Sequence, residues 1–383
     1  MKKIILVVGT RPEAIKMAPI YRAMKRSAHI EPFLLSTGQH REMLTQTLGA
    51  FGLTPDRDLG LMLPNQTLPE LTARAIVALS NFFGEHKPDT VLVQGDTTSV
   101  LAGAMAAFYH RIPVGHVEAG LRTGDMYSPY PEEMNRRLTT PLCQYNFAPT
   151  EWSKKNLLRE GIDESSIHVT GNTVIDALHW MNEILSQREN MATELSARLK
   201  ISDHFRDQYL VENGKRFLLV TAHRRESHGS GMENLCVALR SIASEYPDLG
   251  ILFPVHLNPA VRTTVLPQLK DIDQIELIDP VGYEDFVWLM ARSHFIISDS
   301  GGIQEEAPSF GKPVLVTRET TERPEGVHAG TCTLVGTCVE KILAEARRLL
   351  SDETAYRTRS QLTNPYGDGK SSNRIVELLI NSR

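Results

Sequence analysis

Short, wholly apolar runs alternate along the chain with stretches of helical periodicity. Residues 4–8 (Ile-Ile-Leu-Val-Val) predict a strand, residues 13–25 a helix, 32–35 a strand and 41–51 a helix. The pattern continues with a helix over 71–83, a strand over 90–93, a helix over 99–109 and a strand over 113–117. Runs that are apolar throughout, rather than alternating, belong to parallel sheets covered on both faces. Alternation of such strands with helices predicts a doubly wound α/β domain. A second series of strands follows at 217–221, 251–255, 275–278, 295–298 and 313–316, so the second half predicts another domain of the same class.

Between the two series, residues 180–215 are charged and helix-prone, without a strand signal. The division is placed at 1–172 and 173–365, with 366–383 carrying a terminal helix over 372–380. Two such domains in tandem predict a ligand site in the cleft between them, at the carboxyl ends of the strands.

Size and charge narrow the picture. A chain of 383 residues suits two cores better than one. Lys and Arg number 41 against 46 Asp and Glu, a formal charge of −5. That balance argues against a general nucleic-acid binder, which needs excess cations. Any anionic ligand must be held by a local basic cluster. The four cysteines, Cys143, Cys236, Cys332 and Cys338, form no C-x-x-C pair, so no metal site is expected. They read as reduced thiols of a cytoplasmic protein. The apolar run after Met1-Lys2-Lys3 stops at Gly9, too early for a signal peptide, and reads as a buried strand. No stretch approaches the roughly 18 apolar residues that a membrane span needs.

The residues that follow the strands carry the candidate chemistry. After the first strand come Gly9-Thr10-Arg11-Pro12-Glu13 and then Lys16. The two cations suit an anionic group near a helix N-terminus, or equally a solvated surface. No G-x-G-x-x-G follows any strand, so no nicotinamide cofactor is indicated. Asp96 ends the next strand within Gln94-Gly95-Asp96-Thr97-Thr98, as a helix cap or as a site carboxylate. Glu118 stands in the apolar, Gly-rich stretch from His116 to Gly120, where a carboxylate needs a partner or a role. His116 reads better as a core histidine. Glu132 and Glu133 suit the positive end of a helix. In the second half, His223-Arg224-Arg225-Glu226 and His256 follow strands, and Ser300-Gly301-Gly302 opens a helix carrying Glu306. A Ser-Gly-Gly turn at a helix N-terminus is a plausible diphosphate cradle. The sequence thus divides into carboxylates in one domain and cations with backbone donors in the other.

Several ordered segments resemble the bacterial non-hydrolysing UDP-GlcNAc 2-epimerases. They are Gly9 to Lys16, Gln94 to Thr98, His116 to Arg122, Pro131 to Arg136, His223 to Glu226, Asp299 to Glu306, Thr321 to Glu325 and Asn364 to Gly369. The resemblance runs from residue 4 to about 380. It implies a GT-B architecture of two Rossmann-like domains, a homodimer, and a C-terminal helix crossing back to the first domain. It assigns catalysis to Asp96, Glu118 and Glu132, with His223 close to the reaction. UDP contacts fall on Arg11, Lys16, Val281, Phe286, Ser300, Gly301, Gly302, Glu306 and Arg323. At Val281, where some relatives carry a polar residue, only a backbone contact to uracil is expected. A second, activating UDP-GlcNAc site is implied at Gln39, Arg41, Glu132, Arg224 and His256.

The implied reaction turns UDP-GlcNAc into UDP-ManNAc for bacterial envelope polysaccharides, without a cofactor. UDP leaves C1 as a base takes the C2 proton, and adds back after protonation of the opposite face. Crowding of like charges would keep one carboxyl protonated near neutral pH. The rival readings are a hydrolysing epimerase, a GT-B glycosyltransferase using the same nucleotide cradle, and a non-catalytic UDP-sugar sensor.

Overall fold

The structure, a computed structural model, describes residues 1–383 except 40, 64, 224–228 and 383, and all described side chains but those at 41–43. The chain divides into two compact units, Met1–Trp180 with Tyr366–Arg383, and Met181–Pro365.

The first unit holds strands β1 (Lys2–Val8), β2 (Ile30–Ser36), β3 (Arg57–Asp58), β4 (Thr90–Gln94), β5 (Val114–Val117), β6 (Tyr145–Ala148) and β7 (Ile167–Val169). They form one sheet in the order β3-β2-β1-β4-β5-β6-β7, and every adjacent pair is parallel. The apolar runs are accounted for face by face. Ile4, Leu6 and Val8 pack with Ala14, Met17, Ile20 and Met24 of the helix Arg11–Lys25. Ile5, Val7, Val91 and Val93 pack on the other face with residues of the helices Leu68–His86 and Thr98–Tyr109.

The second unit holds β8 (Phe217–Thr221), β9 (Gly250–Pro254), β10 (Ile275–Ile278), β11 (Ile296–Ser298), β12 (Val314–Val316) and β13 (Cys332–Leu334), in the order β10-β9-β8-β11-β12-β13. This sheet is parallel throughout as well. Both units therefore show the doubly wound α/β architecture of a GT-B-like protein, and both have the strand order 3-2-1-4-5-6 within their first six strands.

The helix Thr173–Ser186 begins at the expected division, and the first unit extends along it to Trp180. The terminal helix Ser371–Asn381 belongs to the first unit. Its Ile375, Val376 and Leu379 join the core under β1, at roughly 1.5–3 kcal/mol for each such side chain. Both ends are tied. Asp176 accepts from the backbone N–H of Ser371 at 3.2 Å and of Ser372 at 2.7 Å, and Lys2 Nζ donates to the Leu379 carbonyl at 2.8 Å. Among the described residues, no helix is long and apolar enough to cross a membrane.

Four strands escape the sequence pattern: β3, β6, β7 and β13. Each has two to four residues and no apolar run, as in Tyr145-Asn-Phe-Ala or Ile167-His-Val. They lie toward the sheet edges, where one neighbour suffices and the apolar demand falls.

Candidate active site

Strand order reverses between β1 and β4 in the first sheet, and between β8 and β11 in the second. The loops leaving two such neighbours diverge to opposite faces, so a crevice opens at their carboxyl ends. The candidate residues gather at these two points, each within its own unit.

At the first, the loops after β1, β2 and β4 are sewn together. A Cβ on Gly9 would meet Ser99 Oγ and Thr37 Oγ1 at 2.6 Å, so only glycine lets them converge. Glu13 accepts from the Gly9 N–H at 2.5 Å and from Thr97 Oγ1 at 2.6 Å, bridging the β1 and β4 loops. Its burial pushes the carboxyl up to about 7, against the lowering by these donors. A folded-state value above the unfolded 4.5 contributes stability that is fully present below pH 4.5 and lost as pH rises through about 7. Glu13→Gln is expected to flatten this window. Wild type should lose roughly 3 kcal/mol more than the variant between pH 4.5 and 8, read by chemical denaturation. Parallel pH profiles for the two proteins would refute the assignment.

Asp96 follows β4 and is held by Arg136, whose Nη2 lies 2.5 Å and Nε 3.0 Å from Asp96 Oδ2. Asn135 Nδ2 donates to the Asp96 carbonyl at 2.9 Å. Both partners come from the helix Glu132–Thr139, and Glu132 shares their face because residues three and four apart are neighbours on a helix. One Glu132 oxygen is buried without a hydrogen-bond partner among the described residues. Fully buried Glu133 accepts from Arg136 at 3.0 Å, Arg137 at 3.2 Å and the Thr123 N–H at 3.1 Å, which fixes the clamp on Asp96.

Glu118 follows β5 with φ +66°, a left-handed conformation that costs a non-glycine residue about 1 kcal/mol or more. Its carboxylate is over-determined. Lys16 Nζ pairs with Oε1, Gln94 Nε2 donates to Oε2 at 2.5 Å, and Asn172 Nδ2 donates to Oε1 at 3.1 Å. A Cβ on Gly95 would lie 3.8 Å from Glu118 Oε2, so the Asp96 loop and Glu118 adjoin. His116 is buried and donates from Nε2 to the Gly95 carbonyl at 2.7 Å. Its burial pushes it down to about 4, so it stays neutral and keeps this bond. The expected crowding of bare carboxylates is replaced by pairing: Asp96 and Glu118 each have a cation of their own. Lys16 pairs with Glu118, while Arg11 is exposed.

The second unit gathers His223 after β8, His256 after β9, and the Asp299–Gly302 turn after β11. The two imidazole centroids lie 6.4 Å apart. A Cβ on Gly301 would meet the Arg323 Cζ at 2.7 Å, so glycine lets the guanidinium rest on the turn. Arg323 is oriented by Glu305 and Glu322, each at 2.8 Å. Glu306 ends the helix Gly301–Glu306, and its charge adds to burial in raising the Tyr283 phenol. Val281 and Phe286 are partly buried, ahead of and within the helix Tyr283–Arg292. Gln39 accepts from Ser99 Oγ at 2.8 Å, and His256 is exposed. The side chain of Arg41 and all of Arg224 lie outside the described residues.

Gln94, Arg136, Asn172 and Asp299 were not assigned from the sequence. Arg136 stands one helical turn after Glu132, and Asp299 directly before the Ser-Gly-Gly turn, so local signals existed. Asn172 follows the unpredicted β7 and is 54 residues from Glu118, with nothing local to mark it. Among the described residues no cluster of His, Cys, Asp or Glu could hold a metal ion.

A family model described as UDP-N-acetylglucosamine 2-epimerase matches residues 22–380. The chain is 52% identical over 381 residues to the UDP-N-acetylglucosamine 2-epimerase of Escherichia coli K12, covering 100% of this chain and 99% of that one. It is similar to the crystal structure of UDP-GlcNAc 2-epimerase from Neisseria meningitidis bound to UDP-GlcNAc, with TM-score 0.88, 46% identity, and 99% and 100% of the two chains covered. It is also similar to the Methanocaldococcus jannaschii UDP-GlcNAc 2-epimerase in complex with UDP-GlcNAc and UDP, with TM-score 0.78, 35% identity and 100% of each chain covered.

Proposed function

The chain belongs to the UDP-N-acetylglucosamine 2-epimerase family, and from that premise we propose that it interconverts UDP-GlcNAc and UDP-ManNAc without net hydrolysis. The observation that carries the proposal is the grouping of Asp96, Glu118 and Glu132 at one switch point, two of them fixed by their own cations.

The chemistry balances without a redox partner. A base takes the C2 proton, the C2–H pair becomes the C1–C2 double bond, and the C1–O pair leaves with UDP. Re-addition of a UDP oxygen to C1, with a proton delivered to the other face of C2, gives the epimer. Asp96, Glu118 and Glu132 are the proton-transfer groups. Glu132, with an oxygen that no described group engages, is the one best placed to carry a proton between states. His223 acts close to the reacting centre. The Ser300–Gly302 turn and Arg323 hold the diphosphate that departs and returns, with Arg11 and Lys16 as further cations. Glu306 accepts from sugar hydroxyls, and Val281 with Phe286 holds the base.

The further readings follow from the family. The enzyme works as a cytoplasmic homodimer and supplies ManNAc units for envelope polysaccharide. A second UDP-GlcNAc activates it through Gln39, Arg41, Glu132, Arg224 and His256.

The test is a proton NMR time course of UDP-GlcNAc with the purified enzyme in deuterated water, with no cofactor added. New UDP-ManNAc anomeric signals with deuterium at C2 are expected. Free ManNAc with UDP would move the enzyme to the hydrolysing class. An unchanged spectrum despite binding would sink the epimerase reading.

A further inference from the structure

Asp299 is a fully buried carboxylate that the proposed chemistry does not use. It follows β11 directly, and His223 stands two residues after β8. These strands are parallel neighbours with Ser298 opposite Thr221, and the ladder runs one step further through the Asp299 N–H and the Thr221 carbonyl at 3.3 Å. The carboxylate thereby arrives beside His223 and meets it twice. Oδ2 accepts from the His223 backbone N–H at 2.9 Å, and Oδ1 lies 3.0 Å from the ring Nδ1. The first is a hydrogen bond to the main chain; the second places the carboxylate beside the ring without the alignment of a full hydrogen bond.

At that distance a carboxylate oxygen facing Nδ1 favours the tautomer with the hydrogen on Nδ1, since a bare ring nitrogen would set lone pair against lone pair. Nε2 is then the ring atom left for a ligand, on a side chain 46% exposed beside a carboxylate that is 0% exposed. His256 stands 6.4 Å away ring to ring, tilted by 30°, and its Nδ1 accepts from the Asn258 N–H at 3.1 Å.

We propose that Asp299 is a positioning residue for the reaction: it holds His223 as the Nδ1–H tautomer and aims Nε2 at the bound sugar nucleotide. The inference rests on the reading that His223 works close to the reacting centre. Asparagine is nearly isosteric, but its amide offers one acceptor where His223 presents two donors. One of the two contacts then becomes donor against donor unless the ring switches to the Nε2–H tautomer, which takes the bare nitrogen away from the ligand.

Two measurements on the full-length enzyme decide it. Nitrogen NMR of protein labelled with 15N-histidine should show His223 with a protonated Nδ1 and a bare Nε2 when neutral. An Nε2-protonated ring in wild type would overturn the proposal without any variant. In kinetics, Asp299→Asn is expected to lower kcat about 10–100-fold with UDP affinity by calorimetry changed less than about threefold. The double variant with His223→Asn should be no slower than His223→Asn alone, because the two groups act as a unit. Independent, multiplying losses would overturn it. If His223→Asn leaves kcat unchanged, the reading that places His223 at the reaction fails, and the tautomer still decides whether the dyad exists.

Discussion

Asp96→Asn is expected to lower the rate of epimerisation by about 10³-fold or more while UDP affinity changes by less than about threefold. The geometry gives both halves of this result. Arg136 directs Nε and Nη2 at a single oxygen, Oδ2, so an amide oxygen in that place still accepts from the guanidinium and the loop keeps its shape. What the amide cannot do is take up and return a proton. The Asp96 side chain is 27% exposed, which leaves it reachable by a substrate. UDP is anchored in the proposal by Arg323 and the Ser300–Gly302 turn, which belong to the other unit and do not depend on Asp96. The NMR time course measures turnover, and calorimetry with UDP measures binding. Lost UDP binding in a protein that melts normally would show that Asp96 is a nucleotide ligand, and retained turnover would remove it from the chemistry.

The parts of this molecule legible in its sequence are those set by local physics. Ile4 to Val8, short and apolar throughout, read as a strand buried on both faces, and Gly9 after it as a turn. The doubly wound class follows from repeating that unit. What stayed hidden depends on contacts distant in sequence. Nothing around Lys16 says that it crosses to Glu118, 102 residues away. Likewise the choice between Glu132 and Glu133 is invisible locally, since both suit a helix N-terminus. Glu133 turns inward to donors from Thr123, Gly124, Arg136 and Arg137, while one Glu132 oxygen has no hydrogen-bond partner among the described residues. That Asp96 and Glu118 come ready-paired was not readable, because their partners Arg136, Lys16 and Asn172 are assembled only by the fold.

Glu118→Gln should cost both activity and stability, and the two losses can be separated. Lys16 and Glu118 are 12% and 8% exposed, so removing the negative charge takes a close carboxylate from a nearly buried ammonium. The new amide nitrogen also confronts the donors of Gln94 or Asn172, which now find one acceptor oxygen where they had two. Breaking a buried pair from one side costs about 3 kcal/mol. The substitution keeps the left-handed backbone at φ +66° and its strain, so that term cancels. Turnover should fall about 10³-fold, because an amide cannot exchange a proton with C2. Adding Lys16→Met removes the ammonium as well and replaces it with an apolar side chain of similar length. Denaturation of the double variant should recover most of the lost stability, since replacing both partners of a buried pair is far gentler than removing one. Epimerisation should stay at the level of Glu118→Gln. If the double variant regains activity along with stability, Glu118 serves only to neutralise Lys16. The proton transfer must then be carried by Asp96 and Glu132 alone.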